Sequence, residues 1–144
     1  MEISSPAFKD KDSIPVKYTC DGDNISPALA ITGVPPAAKS LVLIVDDPDA
    51  PMGTWVHWLV FDMPVIANIR EASVPGKQAI NSAGRKEYHG PCPPSGTHRY
   101  FFKLFALDNK LGLMDGCSKE ELDKAMGPHV IAKAEIMGLY KRNK

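Results

Sequence analysis

Three long apolar runs dominate this chain: Leu41–Val45 (LVLIV), Trp55–Phe61 (WVHWLVF) and Tyr100–Leu107 (YFFKLFAL). Each borders a segment that cannot extend it. The first halts at Asp46-Asp47-Pro48, and the stretch Asp46–His57 carries Pro48 and Pro51. The third is preceded by Tyr88–Tyr100 (YHGPCPPSGTHRY), with Pro91, Pro93 and Pro94. Proline fixes φ and lacks an N–H, so these segments are excluded from central strands and helix interiors. They read as stiff loops at strand ends, the places where a scaffold holds polar groups for a ligand. A continuously apolar run of five suits a strand buried on both faces.

The rest of the chain supports a mostly β reading. Ile14–Tyr18 and Ala28–Ile31 are short strand candidates, the second leading into a turn over Thr32–Pro36. One helix is well signalled: Ser118-Lys119-Glu120-Glu121 fits the capping box S-x-x-E, with Leu122, Ala125 and Met126 on one face behind it. Gly127-Pro128 should end or kink that helix. AKAEIMGLY, from Ala132, alternates like a strand. Too few helices separate the strands for a doubly wound α/β fold. The expectation from pattern is a mostly antiparallel β domain with a helix near the C-terminus. The length of 144 residues suits a single domain over residues 1–144.

Charge narrows the function classes. Lys+Arg and Asp+Glu both count 17, and the pI is near 6.9, so nothing favours nucleic acid or anionic membranes. No apolar run approaches the roughly 20 residues of a spanning helix. The opening MEISSPAFKDKD has no apolar core of a secretory leader, so a cytoplasmic location is expected. Cys20, Cys92 and Cys117 cannot all pair internally, match no zinc spacing and include no CxxC. They are read as free thiols in a reducing compartment.

Strand parity gathers the polar residues. In a strand, side chains i and i+2 share a face. Trp55, His57, Leu59 and Phe61 should therefore share one face, as should His98, Tyr100, Phe102 and Leu104. Asp47 should follow Leu43 and Val45. If the three strands are neighbours, Asp47, His57, His98 and Tyr100 converge on a pocket walled by Trp55. A carboxylate can orient a neutral imidazole, and imidazoles and a phenol can donate to an anion beside an aromatic wall. Arg99 points away from His98 and is read as a buried or half-buried ion-pair partner. Asp46 and Asp49 are read as turn-fixing or as that partner, and Trp58 and Phe101 as core.

In order along the chain, Asp47-Pro48-Asp49-Ala50-Pro51 (D-P-D-x-P), Trp55-Val56-His57 (W-x-H), Gly90-Pro91-Cys92-Pro93-Pro94 (G-x-x-P-P) and Gly96-Thr97-His98-Arg99 (G-x-H-R) resemble the phosphatidylethanolamine-binding protein (PEBP) family in its short bacterial and archaeal form. Asp23-Asn24-Ile25-Ser26-Pro27 resembles its D-x-x-S-P segment, and His129–Tyr140 its closing segment. The resemblance implies the PEBP fold: a central β-sheet on a smaller one, with a pocket for phosphoryl or carboxylate groups, phosphoethanolamine among them. Carried over, the ligand-binding residues would be Asp47, Trp55, His57, Pro93, His98 and Tyr100. Backbone N–H groups around Gly90–Cys92 would join them, that of Cys92 above all. Asp49, Pro51 and Arg99 would support the site. The loop Met52-Gly53-Thr54 lacks the pocket-edge tyrosine of some members. The chain stops at Lys144, without the C-terminal extension of larger eukaryotic members, so kinase-cascade inhibition is not carried over.

The expectation is thus a non-catalytic binding protein, cofactor-free and metal-free, monomer or homodimer, with a small anionic ligand and a possible protein partner. Two other readings stand beside it. One is a serine protease inhibitor or other protein-level regulator acting through Pro64–Lys86; the other is a hydrolase built on Cys92 and His98. At least one cis X–Pro bond is expected in the two proline-rich loops, Ala50-Pro51 foremost, from the sharp turn there. Anion affinity is expected to rise as pH falls from about 8 towards 6, through imidazolium donors.

Overall fold

The computed structural model describes residues Met1–Asn143. Its frame is a five-stranded sheet with the order β6-β4-β3-β7-β8 and every neighbouring pair antiparallel. The strands are β3 (Ser40–Asp47), β4 (Trp55–Met63), β6 (Lys77–Gln78), β7 (His98–Leu107) and β8 (Val130–Tyr140). A second sheet of three antiparallel strands joins β1 (Glu2–Ser4), β2 (Leu29–Thr32) and β5 (Asn68–Ile69) in the order β1-β2-β5. Helix α1 (Lys119–Met126) carries the expected capping box, with Ser118 and Glu121 bonding each other's backbone N–H. It ends before Gly127-Pro128, which continue as a 3₁₀ turn to His129.

The unbroken apolar pattern of β3 is explained by cover on both sides: all eight of its residues are buried. On one face Leu41, Leu43, Val45, Trp58, Val60, Tyr100, Phe102 and Leu104 pack with Ile3, Leu29, Ile31 and Ile69 of the small sheet. On the other, Val42, Ile44, Val56, Leu59 and Phe61 pack with Cys117, Leu122 and Met126. Fully burying each such side chain contributes about 1.5–3 kcal/mol.

The structure departs from the sequence expectations in several places. Ile14–Tyr18 is not a strand. Pro15 has no N–H for a ladder, so pairing is limited to a bridge at Ser13 and one Ile14 N–H bond to the Leu139 carbonyl. Val16–Tyr18 then coils into a 3₁₀ turn. In β4, strict alternation fails: Asp46 pairs with Val56 while Val45 pairs with Trp58, leaving His57 as the extra residue of a β-bulge. Leu59 and Phe61 consequently lie on the helix-covered face, away from the site. Every peptide bond among the described residues is trans, Ala50-Pro51 included. The reversal there uses an Asp49 N–H bond to Asp47 Oδ1 and Gly53 at φ 104°. Phe101 is only half-buried, under the Arg99 and Lys103 cations at 5.6 and 5.8 Å.

Candidate functional site

At the β3 C-terminus, between the two proline-rich loops, lies a cavity of about 210 Å³ lined by Asp47, Trp55, His57, His89, Cys92, Pro93, His98 and Tyr100. Ala50, Pro51 and Pro94 complete its rim. A water occupies about 30 Å³, so the space suits a small polyatomic group. The strand order puts β3 between β4 and β7. Asp47 therefore stands between His57 on one side and His98 and Tyr100 on the other. On β7 the alternation is regular, and His98, Tyr100, Phe102 and Leu104 share the small-sheet face. On β4 the bulge aims His57 at the cavity while Trp58 stays in the core, its Nε1 donating to Gln78 Oε1 at 2.7 Å.

Hydrogen bonds define which ring nitrogen faces the cavity. His98 Nδ1 donates to Asp47 Oδ2 at 2.7 Å, both side chains being buried. His57 Nδ1 donates to the His89 carbonyl at 2.5 Å, since a carbonyl can only accept. In both rings Nε2 is the nitrogen left to the cavity. Burial pushes the His57 imidazolium down to about 4, opposed first by the bond to the His89 carbonyl and less by Asp47, with the facing His89 ring adding to the fall. His57 is therefore neutral at physiological pH and presents a lone pair. It cannot be the charged donor expected from the sequence.

Tyr100 forms the floor. Its residue is 1% exposed, and no hydrogen bond of good geometry reaches its hydroxyl among the described residues, although the Asp47 carboxylate and the Cys92 N–H lie close enough to act on it. Burial, then the negative Asp47, pushes its phenol far above the usual range, so it stays a donor, and the Cys92 N–H opposes that trend. Its ring lies 5.3 Å from that of His57, edge-on, and 6.4 Å from that of His98. Trp55, 37% exposed, stands at the mouth.

The second loop is buttressed from behind. Cys92 is bonded to Cys20, which overturns the free-thiol expectation; only Cys117 is free, and it is buried. Residues 72 apart are joined, a proximity no local spacing reveals. With its sulfur in a disulfide, Cys92 has no thiolate to attack a substrate, so the hydrolase reading loses its nucleophile. Gly90 lies outside the cavity lining: its N–H donates to Asn24 Oδ1 at 2.8 Å. A Cβ there would strike Asn24 and the Tyr18 carbonyl, so Gly90 serves close packing rather than ligand donation. The Tyr88 hydroxyl also donates to the Tyr18 carbonyl.

Arg99 lies on the outer face as the expected ion-pair partner, to Asp49, its side chain about half exposed. Its Nε and Nη2 donate to the two Asp49 oxygens at 2.9 and 2.8 Å, holding Asp49 down at about 2. Asp46, on the face opposite Asp47, accepts from Lys103 Nζ at 2.9 Å. The sequence reading missed His89 as a wall residue. It follows a loop rather than a strand, so no parity rule points it inward. Its ring sits 5.6 Å from that of His57 and 6.4 Å from that of Trp55. No group of three or more metal-ligating side chains suited to an ion occurs among the described residues. Nor is any helix there long and apolar enough to cross a membrane.

Comparison with known proteins agrees with this fold. The chain is 49% identical to a UPF0098 protein of Methanothermobacter thermautotrophicus, covering 99% of both chains. It is 46% identical to one of Chlamydia trachomatis, over 99% of this chain and all of that one. Among solved structures, a PEBP homologue from Chlamydia trachomatis superposes with a TM-score of 0.95 at 44% identity, covering 99% and 97% of the two chains. YbcL of E. coli, described as a member of the mammalian PEBP family, gives 0.90 at 28% identity, covering 99% and 98%. With residues 4–141 also matching the profile named Phosphatidylethanolamine-binding protein, the chain belongs to that family.

Proposed function

We propose that this protein is a non-catalytic binding domain whose cavity takes a small anionic group, phosphoryl or carboxylate, presented by a metabolite or head group. The observation that carries this reading is the Tyr100 hydroxyl, buried and without a hydrogen bond of good geometry on the floor of a cavity flanked by two oriented imidazoles. An unpaired buried hydroxyl costs about 1–3 kcal/mol, which a ligand acceptor would recover. Asp47, Trp55, His57, Cys92, Pro93, His98 and Tyr100 would contact or wall the ligand. Asp49, Pro51 and Arg99 would shape the rim, and Gly90 would hold the loop behind it.

With the Cys92 sulfur committed to Cys20, a Cys92–His98 hydrolase has no thiol to attack with, which supports binding over that chemistry. The Pro64–Lys86 segment is pinned at several points, with Val65 and Val74 exposed between them. Ile69 and Ala79 are buried, and Ala72 N–H is bonded to the Ser26 carbonyl.

Calorimetry with inorganic phosphate and acetate tests the reading. At least one should bind, and Tyr100→Phe should weaken it about tenfold, the loss of one hydrogen bond to a charged acceptor. Millimolar ligand giving no heat, or Tyr100→Phe binding unchanged, would refute the reading.

A further inference from the structure

The five-stranded sheet has two edges, and they are finished differently. At one, β6 is only two residues long, and Gln78 is covered: its N–H donates to Asp115 Oδ1 and its carbonyl accepts from the Gly116 N–H. At the other, β8 runs for eleven residues. The segment from Asp10 to Ile14 covers its C-terminal part. There the Lys11 and Ile14 N–H groups donate to the Met137 and Leu139 carbonyls. In return the Met137 N–H donates to Asp10 Oδ1 and the Leu139 N–H to the Asp12 carbonyl.

Backbone groups of an antiparallel strand alternate between its two sides. The pairing of β8 with β7 is regular from Ala132 to Tyr140, so Lys133 and Glu135 turn outward as Met137 and Leu139 do. Among the described residues, the outward N–H and C=O groups of Lys133 and Glu135 have no partner. Both residues are exposed, and neither proline nor glycine interrupts Ile131–Glu135. Such an edge is a template for another strand.

The side chains select which strand fits. A second copy can lie antiparallel along β8 about a two-fold axis at Ala134. Lys133 then faces the copy's Glu135, and Glu135 faces the copy's Lys133, so both facing pairs are opposite in sign. In the same register these are the hydrogen-bonded pairs, and each exchanges N–H···O bonds in both directions. Ala134 meets the copy's Ala134 at the non-bonded position, where strands approach to about 4.5 Å and a methyl group fits. Ile131, 40% exposed, comes beside the copy's half-buried Met137. Moving the axis to Lys133 or to Glu135 would set like charges opposite each other. A guard of lysines alone would repel a copy, whereas Lys-Ala-Glu attracts one.

We infer that this protein pairs with itself through the Ile131–Glu135 edge of β8, joining two large sheets into one continuous sheet. The ladder stops at Met137, whose backbone groups Asp10 and Lys11 already hold. The contact is small, so the dimer is weak, with a Kd of about 0.1 mM. The cavity lies at the other end of β8, where Tyr140 pairs with His98, and stays open in the dimer.

Sedimentation velocity and backbone amide exchange on the intact protein at low salt test this, from about 10 µM to about 1 mM, a range that brackets the Kd. The sedimentation coefficient should rise towards that of a dimer. The Lys133 and Glu135 amides should exchange about fivefold more slowly at the high end, where about four chains in five are paired. Lys133→Glu and Glu135→Lys each set like charges opposite each other and should each weaken pairing at least about tenfold. Mixing these two variants should restore pairing, because every facing pair is again opposite in sign. The double reversal in one chain should restore it too. A monomer at about 1 mM, with exchange at Lys133 and Glu135 independent of concentration, would overturn the inference. A dimer that survives both single reversals, or one that neither the mixture nor the double reversal restores, would overturn it as well.

Discussion

The two proline-rich loops face each other across one cavity but are held by opposite means. The loop Tyr88–Pro94 is clamped from its buried side. The Cys20–Cys92 bond, the Gly90 N–H on Asn24, the Tyr88 hydroxyl on the Tyr18 carbonyl and the His89 N–H on the His57 carbonyl all converge there. The loop from Pro48 to Thr54 is held at its start by Asp47 Oδ1 and at its rim by the half-exposed Asp49–Arg99 pair. Its tip, Met52, is almost fully exposed. The first loop therefore carries the carbonyl that orients His57 on a covalent and buried support. The second relies on surface electrostatics that salt and acid can weaken. A site that must fix a ring tautomer yet admit a ligand is served by one rigid wall and one softer one.

Breaking the rigid wall should have the largest effect. Removing the disulfide with Cys20→Ser and Cys92→Ser frees a 72-residue separation, a loss of about 4 kcal/mol on the chain-entropy account. The melting temperature should fall on the order of 10 °C, and a reductant should mimic this in the parent protein. A shift of only a degree or two in calorimetric scans would show that the noncovalent contacts alone hold that loop.

The next effect belongs to His57. Its folded pKa of about 4 lies below the unfolded value near 6.5. Between these values the unfolded chain binds more protons, so stability rises with pH. The contribution is fully present above about pH 6.5 and is lost as pH falls towards 4, about 3 kcal/mol in all. Urea unfolding at pH 7 and pH 4 should show this loss, and His57→Gln should largely abolish it. Equal pH sensitivity in parent and variant would place the acid-labile group elsewhere.

The softer wall should give the smallest effect. Asp49 is depressed to about 2 by Arg99, so its contribution stands above about pH 4 and fades as pH falls towards 2. Because the pair is half-exposed, the cost of Asp49→Asn should stay below about 1 kcal/mol and shrink further in 1 M salt. A loss matching that of the disulfide would erase the asymmetry between the loops.

Much of this architecture was legible in local pattern. The β3 run, the β7 alternation from His98 to Leu104, the capping box at Ser118 and the final strand follow from side-chain period and backbone sterics. The structure has each of them. The meeting of Asp47 with His98 was legible as well, because neither strand is interrupted between core and site. His57 reached the expected cavity by an unexpected route: parity grouped it with Leu59 and Phe61, and the bulge separates them.

The amino-acid sequence by itself determined where strands run and stop, because burial period, proline and capping act over a few residues. It also determined which chemical groups could meet at the β3 end. Only the tertiary structure decided how they meet. The register of β4 against β3 sets the bulge. The approach of residues 18–24 to Gly90 joins Cys20 to Cys92 and fixes the segment carrying His89. The His89 carbonyl then decides that His57 offers a lone pair instead of a proton. Each depends on contacts between distant segments, where the free energy of packing and chain closure outweighs any local preference.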